Sequence, residues 1–419
     1  MFRKMFTLAF MLWLVMFLIT PGQVLTQGSG RVFNRRTRTV FSSINEALAA
    51  SRGGDVLLVA GRLEEAVNLS LAPGAITIVG QSNPLGSATI SVPSCPANEA
   101  VIDASSRNGR VLLIGLTIEV PENCIGILSN ANLGTGDGKP LTVRGCRIRG
   151  TSPSAHLKGG IALFDESGGP YLFLNNTISR GHFDFGIIVD GDILDSLQAT
   201  IRNNDIGGRD TVVGAGIVIT DILDSATVVV DRNRIDGGGP SVGSMVGIAL
   251  GWGDDNVGGQ AVTVQRNTVI NFSNPSVPGR GIVVDGSPGA KILANVIRDN
   301  FLGIVVDPGH DSSETPVINN NNITCSNLAA CKAAGYKGLF FGSAGYALDA
   351  RNNYWGANTG PDSTDAGAIC PEATGSRCNG PGGGGSGLPI DAINVDCGTS
   401  QGQVMVCPFR TSPNSNAGA

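Results

Sequence analysis

One line of residues recurs along most of the chain at intervals of about 30 positions, and it limits the folds available more than any other feature. The line reads apolar-x-apolar-x-x-Asn-x-Ile, and a second element, Gly-Ile-x-Val, stands between successive copies. The asparagine falls at Asn176, Asn204, Asn233, Asn267, Asn295, Asn321 and Asn353. Each unit holds three short strands and no segment long enough for a helix, so it cannot bury its apolar face alone.

Stacking the units solves this burial problem. If each strand pairs with its equivalent one repeat later, about 4.8 Å away, the inward faces close a common core. The recurrent asparagine suits the bend between two strands, because asparagine tolerates left-handed backbone angles and its amide can bond to the asparagines above and below. The repeat therefore predicts a parallel β-solenoid with an asparagine ladder, in which Leu116 and Cys146 take the equivalent place upstream.

Composition agrees with this fold and excludes several functions. Glycine is abundant, with 60 residues in 419, whereas aromatic residues make up only 5%, so the core must be built from small and β-branched side chains. The net charge is −5 and the positive charges are scattered, which argues against binding to a nucleic-acid backbone.

Three local features of the chain resemble the right-handed parallel β-helix proteins of the pectate-lyase-like superfold. The segment Val40-Phe41-Ser42-Ser43-Ile44-Asn45-Glu46-Ala47-Leu48 is similar to the opening helix of that family, and Ser43 to Glu46 has the pattern of a capping box. Asn352-Asn353-Tyr354-Trp355-Gly356 resembles its closing signature, and Val404-Met405-Val406-Cys407 its last strand. The resemblance implies an all-β, right-handed parallel β-helix of about ten coils with an N-terminal capping helix.

The domain organisation follows from these boundaries. We expect a signal peptide at 1–26, a linker at 27–38, the β-helix with its cap at 39–356, a Gly-rich, disulfide-containing C-terminal coil at 357–410 and a disordered tail at 411–419. The apolar run Met5 to Ile19 is shorter than a membrane span, so the protein is expected to be secreted or held at the cell surface. An uncleaved membrane anchor is the alternative interpretation of this leader.

The nine cysteines lie beyond the leader, as expected for an oxidising compartment. Cys95 and Cys124 are one coil length apart, which predicts a disulfide between stacked coils; Cys325–Cys331, Cys370–Cys378 and Cys397–Cys407 are predicted as local pairs. Cys146 is left as a buried thiol. Because no Cys-x-x-Cys occurs and His156, His182 and His310 are far apart in sequence, no zinc site is predicted.

Enzymes of the family bind extended polysaccharide along one stack of strands, with charged residues pointing outwards. Here the outward residue of each Gly-Ile-x-Val element is apolar: Ala162, Ile188, Val218, Ala249, Val283, Val305 and Phe340. Such a stripe predicts cover by loops, by the C-terminal segment or by a second copy in a homo-oligomer. The strand before the asparagine carries Thr142, Thr200, Thr263, Lys291 and Asp349, which predicts a solvated face.

Acidic residues follow the apolar strand and supply the few candidates for chemistry. Asp285 and Asp307 are expected side by side in adjacent coils, where they could bind Ca²⁺ or, with His310, form a catalytic cluster. Trp252 with Asp254 and Asp255 is the candidate carbohydrate-binding group. His182 lies in Gly-His-Phe-Asp-Phe-Gly, which is similar to a pectin esterase motif, but the companion motifs of pectin esterases and polygalacturonases are missing.

The sequence thus favours a secreted or cell-surface protein that contacts polysaccharide or the cell envelope without catalysis. The alternative is a lyase or hydrolase acting on an acidic polysaccharide. Calcium is the candidate cofactor, and neither a nucleic-acid partner nor a membrane span in the mature chain is expected.

Overall fold

The computed structural model describes residues 30–81, 87–133, 138–191, 197–222, 226–240, 242–251, 262–274, 276–285, 289–307, 316–341, 348–356, 390–392, 404–405 and 410–418. The predicted signal peptide lies outside these residues. Three sheets of 14, 10 and 11 strands, here sheets A, B and C, follow one another in each coil. Apart from an N-terminal hairpin, every strand pairs in parallel with its equivalent in the neighbouring coils. The predicted all-β parallel solenoid is therefore confirmed; the count of about ten coils and the right-handed sense stay predictions.

The strand bounds show how short the repeated elements are. Sheet A contains Arg31–Asn34, Thr39–Phe41, Asp55–Ala60, Ile76–Gly80, Val111–Ile114, Leu141–Arg144, Gly168–Leu174, Leu197–Arg202, Thr227–Asp231, Val262–Gln265, Lys291–Leu293, Val317–Asn319, Leu348–Asp349 and Val404–Met405. Sheet B contains Arg62–Glu64, Thr89–Ser91, Thr117–Val120, Arg147–Gly150, Thr177–Ser179, Asp205–Gly207, Arg234–Asp236, Thr268–Ile270, Val296–Arg298 and Asn322–Thr324. Sheet C contains Val67–Asn68, Ala100–Asp103, Ile125–Asn130, His156–Glu166, Gly181–Gly191, Thr211–Thr220, Val246–Leu250, Arg280–Asp285, Leu302–Asp307, Lys337–Phe341 and Ile390–Ala392.

The asparagine ladder lies at the bend between sheets A and B. From Asn204 onwards, each ladder oxygen accepts two bonds from the asparagine one coil earlier, as where Asn204 donates to Asn233 Oδ1 from its backbone N and its Nδ2, both at 2.9 Å. The first ladder oxygen, Asn176 Oδ1, accepts instead from Cys146 N at 2.9 Å. The Asn233 amide in turn donates to Asn267 Oδ1 and to the Ile201 carbonyl, both at 2.9 Å. The same pattern joins Asn176, Asn204, Asn233, Asn267, Asn295, Asn321 and Asn353, all at most 1% exposed. These bonds satisfy backbone groups that the bend would otherwise leave unpaired.

The left-handed backbone at this bend belongs to a different residue from the one expected. Positive φ angles occur one position before the ladder, for example 54° at Asn203, 55° at Arg232 and 54° at Ala294. The ladder residues themselves are not among the described residues with positive φ. Asparagine is therefore required for its side-chain bonds rather than for its backbone tolerance.

The glycine of Gly-Ile-x-Val is explained by close packing across the core. A Cβ atom on Gly216 would lie 2.5 Å from Ile235 Cγ2, and one on Gly247 would lie 2.3 Å from Val269 Cγ1. The apolar residue of the Asn-x-Ile strand fills this space in each coil, so the two sequence elements of the repeat are complementary.

The N-terminal cap begins earlier than predicted. Arg31–Asn34, inside the expected linker at 27–38, is a strand that pairs with Asp55–Ala60 and Thr39–Phe41. The Asp55 carboxylate is buried and accepts bonds from Arg36 Nη2 at 3.0 Å, Asn34 Nδ2 at 2.7 Å and Arg52 N at 3.1 Å. Bonding to Arg36, then to Asn34 and Arg52, outweighs burial and holds the pKa of Asp55 well below its usual range.

The predicted capping helix is present at Ile44–Ala49, and Ser43 Oγ accepts from Glu46 N at 3.3 Å. The other half of the expected box differs, because the helix is capped by Glu65, which follows the sheet B strand Arg62–Glu64. Its carboxylate accepts from Ser43 Oγ at 2.6 Å, Ile44 N at 2.5 Å and Asn45 N at 3.3 Å. A second helix, Leu328–Ala333, and two 3₁₀ turns, Leu69–Leu71 and Ala131–Leu133, complete the helical segments described.

The C-terminal residues correct another boundary. Instead of a disordered tail at 411–419, residues 410–418 lie along the turns of the last coils. Asn322 Nδ2 donates to the Asn414 carbonyl at 2.9 Å, Asn414 N donates to Asn322 Oδ1 at 2.6 Å, and Gly418 N donates to the Ala294 carbonyl at 2.9 Å. The sequence of this segment is typical of a polar tail, but its Asn and Gly residues form the hydrogen bonds that hold it against the last coils.

Candidate functional site

The outer face of sheet C carries the apolar stripe that the sequence predicted. Its residues are in register from coil to coil, with Ile188 beside Val218 and Val283 beside Val305. Val218, Val283 and Val305 are 6–8% exposed, and Ala162 and Ala249 are fully buried, whereas Ile188 and Phe340 are half-buried. A second outward row, which includes Ala100, Ile125, Phe185, Ala215 and Val246, packs beside the first. The two rows form apolar clusters on the outer face of sheet C, and most of their members are buried.

The acidic edge of sheet C places two of the predicted site residues next to each other. Asp285 and Asp307 are register partners at the ends of adjacent strands, and the Asp285 side chain is half-buried. The side chain of Asp307 and the predicted residues His310, Trp252, Asp254 and Asp255 lie outside the part of the chain that is described. A calcium or catalytic role for this edge stays a prediction.

The outer face of sheet A differs from that of sheet C because its side chains are half-buried, as Ile188 and Phe340 are, whereas most of the sheet C stripe is buried. Its first outward row alternates between branched apolar residues and threonine in successive coils. The row runs Val56, Thr77, Leu112, Thr142, Leu172, Thr200, Val229 and Thr263, and each of these is half-exposed. Seven strand spacings of about 4.8 Å make it about 34 Å long. The expected solvated face thus exists, but apolar residues that the sequence analysis overlooked separate its threonines.

The second outward row of sheet A changes character along the solenoid. It begins with Leu58, Val79 and Ile114, which are half-exposed, and reaches Arg202 and Asp231 farther along. The buried Asp231 carboxylate lies 2.8 Å from both Arg202 Nε and Arg266 Nε, and 3.4 Å from Arg232 Nη1. Three guanidinium groups around one carboxylate leave a local excess of positive charge beside the Thr/apolar row.

Charges on sheet B are mostly paired with one another. Arg62 and Arg149 lie 2.7 and 2.6 Å from the Glu119 carboxylate, and Arg234 contacts Asp205 at 3.1 Å and Asp236 at 2.5 Å. Burial raises the pKa of Glu119, but the bonds from Arg149 and Arg62 outweigh it and hold the pKa below the usual value. Paired charges of this kind stabilise a solvated face and leave little net field for a ligand.

A buried polar cluster joins sheets C and A inside the solenoid. The Arg107 guanidinium, fully buried, lies 3.2 Å from the Glu166 carboxylate, which also accepts from the Tyr171 hydroxyl at 2.6 Å. Arg107 Nη2 donates to the Lys139 carbonyl at 2.5 Å, and Ser129 Oγ donates to Glu166. Because each charged group has several partners, the cluster is a satisfied structural network.

Two of the predicted cysteine pairs lie among the described residues. Cys95 and Cys124 form a disulfide with a Cα–Cα distance of 5.3 Å, and Cys325 is bonded to Cys331. Cys370, Cys378, Cys397 and Cys407 lie outside the described residues. Cys146 is free and buried in the ladder position, where burial raises the pKa of its thiol to about 11.

One group of potential metal ligands among the described residues has its ligand atoms within 4.8 Å of one another: Asp299, Cys325 and Cys331. Both sulfur atoms are joined in the disulfide, and the Asp299 oxygens accept from Ser326 N and Ser326 Oγ at 2.6 Å. These ligands are therefore already engaged, and the group is structural.

The Thr/apolar row of sheet A is the candidate functional site, because its eight half-buried members alternate regularly between threonine and apolar residues in one continuous register. The row is difficult to recognise in the sequence, because its neighbouring members are 21 to 35 residues apart. Only its threonines were predicted to face outwards. No protein-family model, curated protein or solved structure matches this chain. The assignment of a function rests on this surface alone.

Proposed function

We propose that the protein is secreted or displayed at the cell surface, and that it contacts polysaccharide or another cell-envelope component through the outer face of sheet A without turning it over. The observation that carries the proposal is the alternation of threonine with branched apolar residues over eight coils, all half-buried. Hydroxyl groups can bond to sugar hydroxyls while the apolar side chains contact the less polar faces of the sugar rings.

Shape and charge support the same ligand class. Parallel stacking makes the row about 34 Å long and straight, which suits an extended polymer better than a small molecule. The Arg202, Arg232 and Arg266 group at one side of the row would favour a polymer that carries acidic groups.

Location in an oxidising compartment has partial support from the fold. The two disulfides are compatible with an extracellular protein. Over the residues that the structure describes, no helix is both long enough and apolar enough to cross a membrane.

The test compares one substitution on two faces. Thr200→Glu places a bulky charge in the centre of the sheet A row, and Thr177→Glu places the same change on a half-exposed outward site of sheet B. Binding is measured by co-sedimentation with insoluble polysaccharides and cell-wall fragments, and by affinity electrophoresis with soluble acidic polysaccharides. We expect the parent and Thr177→Glu to bind alike and Thr200→Glu to lose at least tenfold in affinity. Equal binding by all three proteins would refute the proposed surface.

The in-register pair Asp285 and Asp307 favours one alternative, a lyase or hydrolase acting on an acidic polysaccharide. Incubation with the same panel, followed by measurement of polymer length with and without Ca²⁺, separates the two functions. The non-catalytic proposal predicts no shortening, and shortening that Asp307→Asn abolishes would establish the enzyme instead.

A further inference from the structure

Two of the three histidines, distant in sequence, are brought together by the solenoid. His156 and His182 are register partners on adjacent parallel strands of sheet C, His156–Glu166 and Gly181–Gly191. Both side chains are exposed on the outer face, at the strand ends that precede the apolar rows. The coil is 26 residues long here, so two residues 26 positions apart in the sequence have backbones only one strand spacing apart, ~4.8 Å.

A carboxylate completes this group. Asp184 Oδ1 lies 3.2 Å from His156 Nε2, and the two side chains are 53% and 57% exposed. The neighbouring Lys158 is already engaged, because its ammonium group lies 2.6 Å from the Glu99 carboxylate. The set of Glu99, Lys158 and Asp184 therefore carries a net negative charge, which favours a cation at the histidines.

We propose that His156, His182 and Asp184 bind one divalent transition-metal ion of the zinc class. Two imidazole nitrogens and one carboxylate oxygen are a donor set that Zn²⁺ accepts, with one position left for water or an oxygen atom of a partner. The sequence-based expectation of no zinc site considered spacing along the chain, whereas this proposal rests on residues that the stacking of coils brings together.

Part of the site is formed and part must move. The His156 ring and the Asp184 carboxylate are in contact, but the ligand atoms of His156, His182 and Asp184 do not all lie within 4.8 Å of one another. Two nitrogens bound to one tetrahedral zinc ion are about 3.3 Å apart, given Zn–N bonds of about 2.0–2.1 Å. Binding therefore requires the exposed His182 side chain to change rotamer towards its register partner His156.

The test is isothermal titration of the full chain with ZnCl₂, together with visible absorption after addition of Co²⁺. We expect one saturable site per chain, and a loss of about tenfold or more in Zn²⁺ affinity for His156→Ala, His182→Ala and Asp184→Asn. Co²⁺ bound by few ligands absorbs visible light. This absorption should weaken in the same variants. All three side chains are exposed, so the variants should retain the circular dichroism of the parent.

His310→Ala is the matched control, since it removes the third histidine of the chain. It should bind Zn²⁺ as tightly as the parent. The proposal is overturned if the parent shows no saturable binding, if His182→Ala binds like the parent, or if His310→Ala weakens binding as much as the other two histidine variants.

Discussion

Val218 and Val229 lie on the same coil and both point away from the core, yet they have different environments. Val218, on sheet C, is 6% exposed, with Ile188 and Ala249 on either side of it in register. Val229, on sheet A, is half-exposed between Thr200 and Thr263. The two valines thus differ both in burial and in the polarity of their neighbours one coil away. The character of a solenoid surface must be read at intervals of one coil and not along the strand.

The largest expected difference between the two faces is in stability. Val218→Asp places a charge among apolar side chains and should lower the free energy of unfolding by about 3 kcal/mol or more. Val229→Asp on the open face should change it by less than about 1 kcal/mol. Urea unfolding followed by circular dichroism measures both, and equal losses would mean that the two faces do not differ in cover.

A smaller effect is expected from the ladder that shapes the edge of sheet A. Asn233→Leu removes the bonds to Asn204, Asn267 and the Ile201 carbonyl and leaves backbone groups of the bend unpaired. The cost should be about 1–3 kcal/mol. The control Asn319→Leu, on the outer face of sheet A, should cost less than about 1 kcal/mol. A ladder variant that unfolds at the same urea concentration as the control would contradict the role of these bonds.

A pH-dependent effect is predicted for the cap of sheet A. Because the pKa of Asp55 is lower in the folded chain than in the unfolded one, its ionised form stabilises the fold above about pH 4, and this contribution is lost as the pH falls. Asp55→Asn should therefore be less stable than the parent at pH 7 and should lose less stability between pH 5 and pH 2. Parallel pH profiles of the unfolding midpoint for the two proteins would contradict this assignment.

The fold was predictable because the information that specifies it repeats. The ladder asparagines, the isoleucine two positions later and the glycine of Gly-Ile-x-Val each recur in nearly every coil, and one register satisfies all three. The departures occur where the repeat does not apply. Arg31–Asn34 pairs antiparallel with the first coil, and residues 410–418 bond to the turns of the last coils. Neither contact repeats along the chain, so no periodic pattern predicts it.

The candidate sites were less predictable for a related reason. The sheet A row and the pair His156 and His182 consist of residues that are neighbours only after stacking, and the short motif around His182 gives no sign of His156. Alignment by coil did predict the threonines of the row and the pair Asp285 and Asp307. The apolar members of the row and the pair His156 and His182 were missed because their residue types are not repeated in the consensus.

The central claim, that the outer face of sheet A is open and that of sheet C is covered, is tested most directly by cysteine labelling. Val229→Cys and Val218→Cys are treated with a maleimide at pH 7.5 under native conditions, and modification at each site is followed by peptide mapping. Cys146 serves as the internal standard for an inaccessible thiol, because it is buried and its pKa is raised to about 11. We predict rapid labelling of Val229→Cys and protection of both Val218→Cys and Cys146. Labelling of Val218→Cys as fast as Val229→Cys, with Cys146 still protected, would contradict the claim.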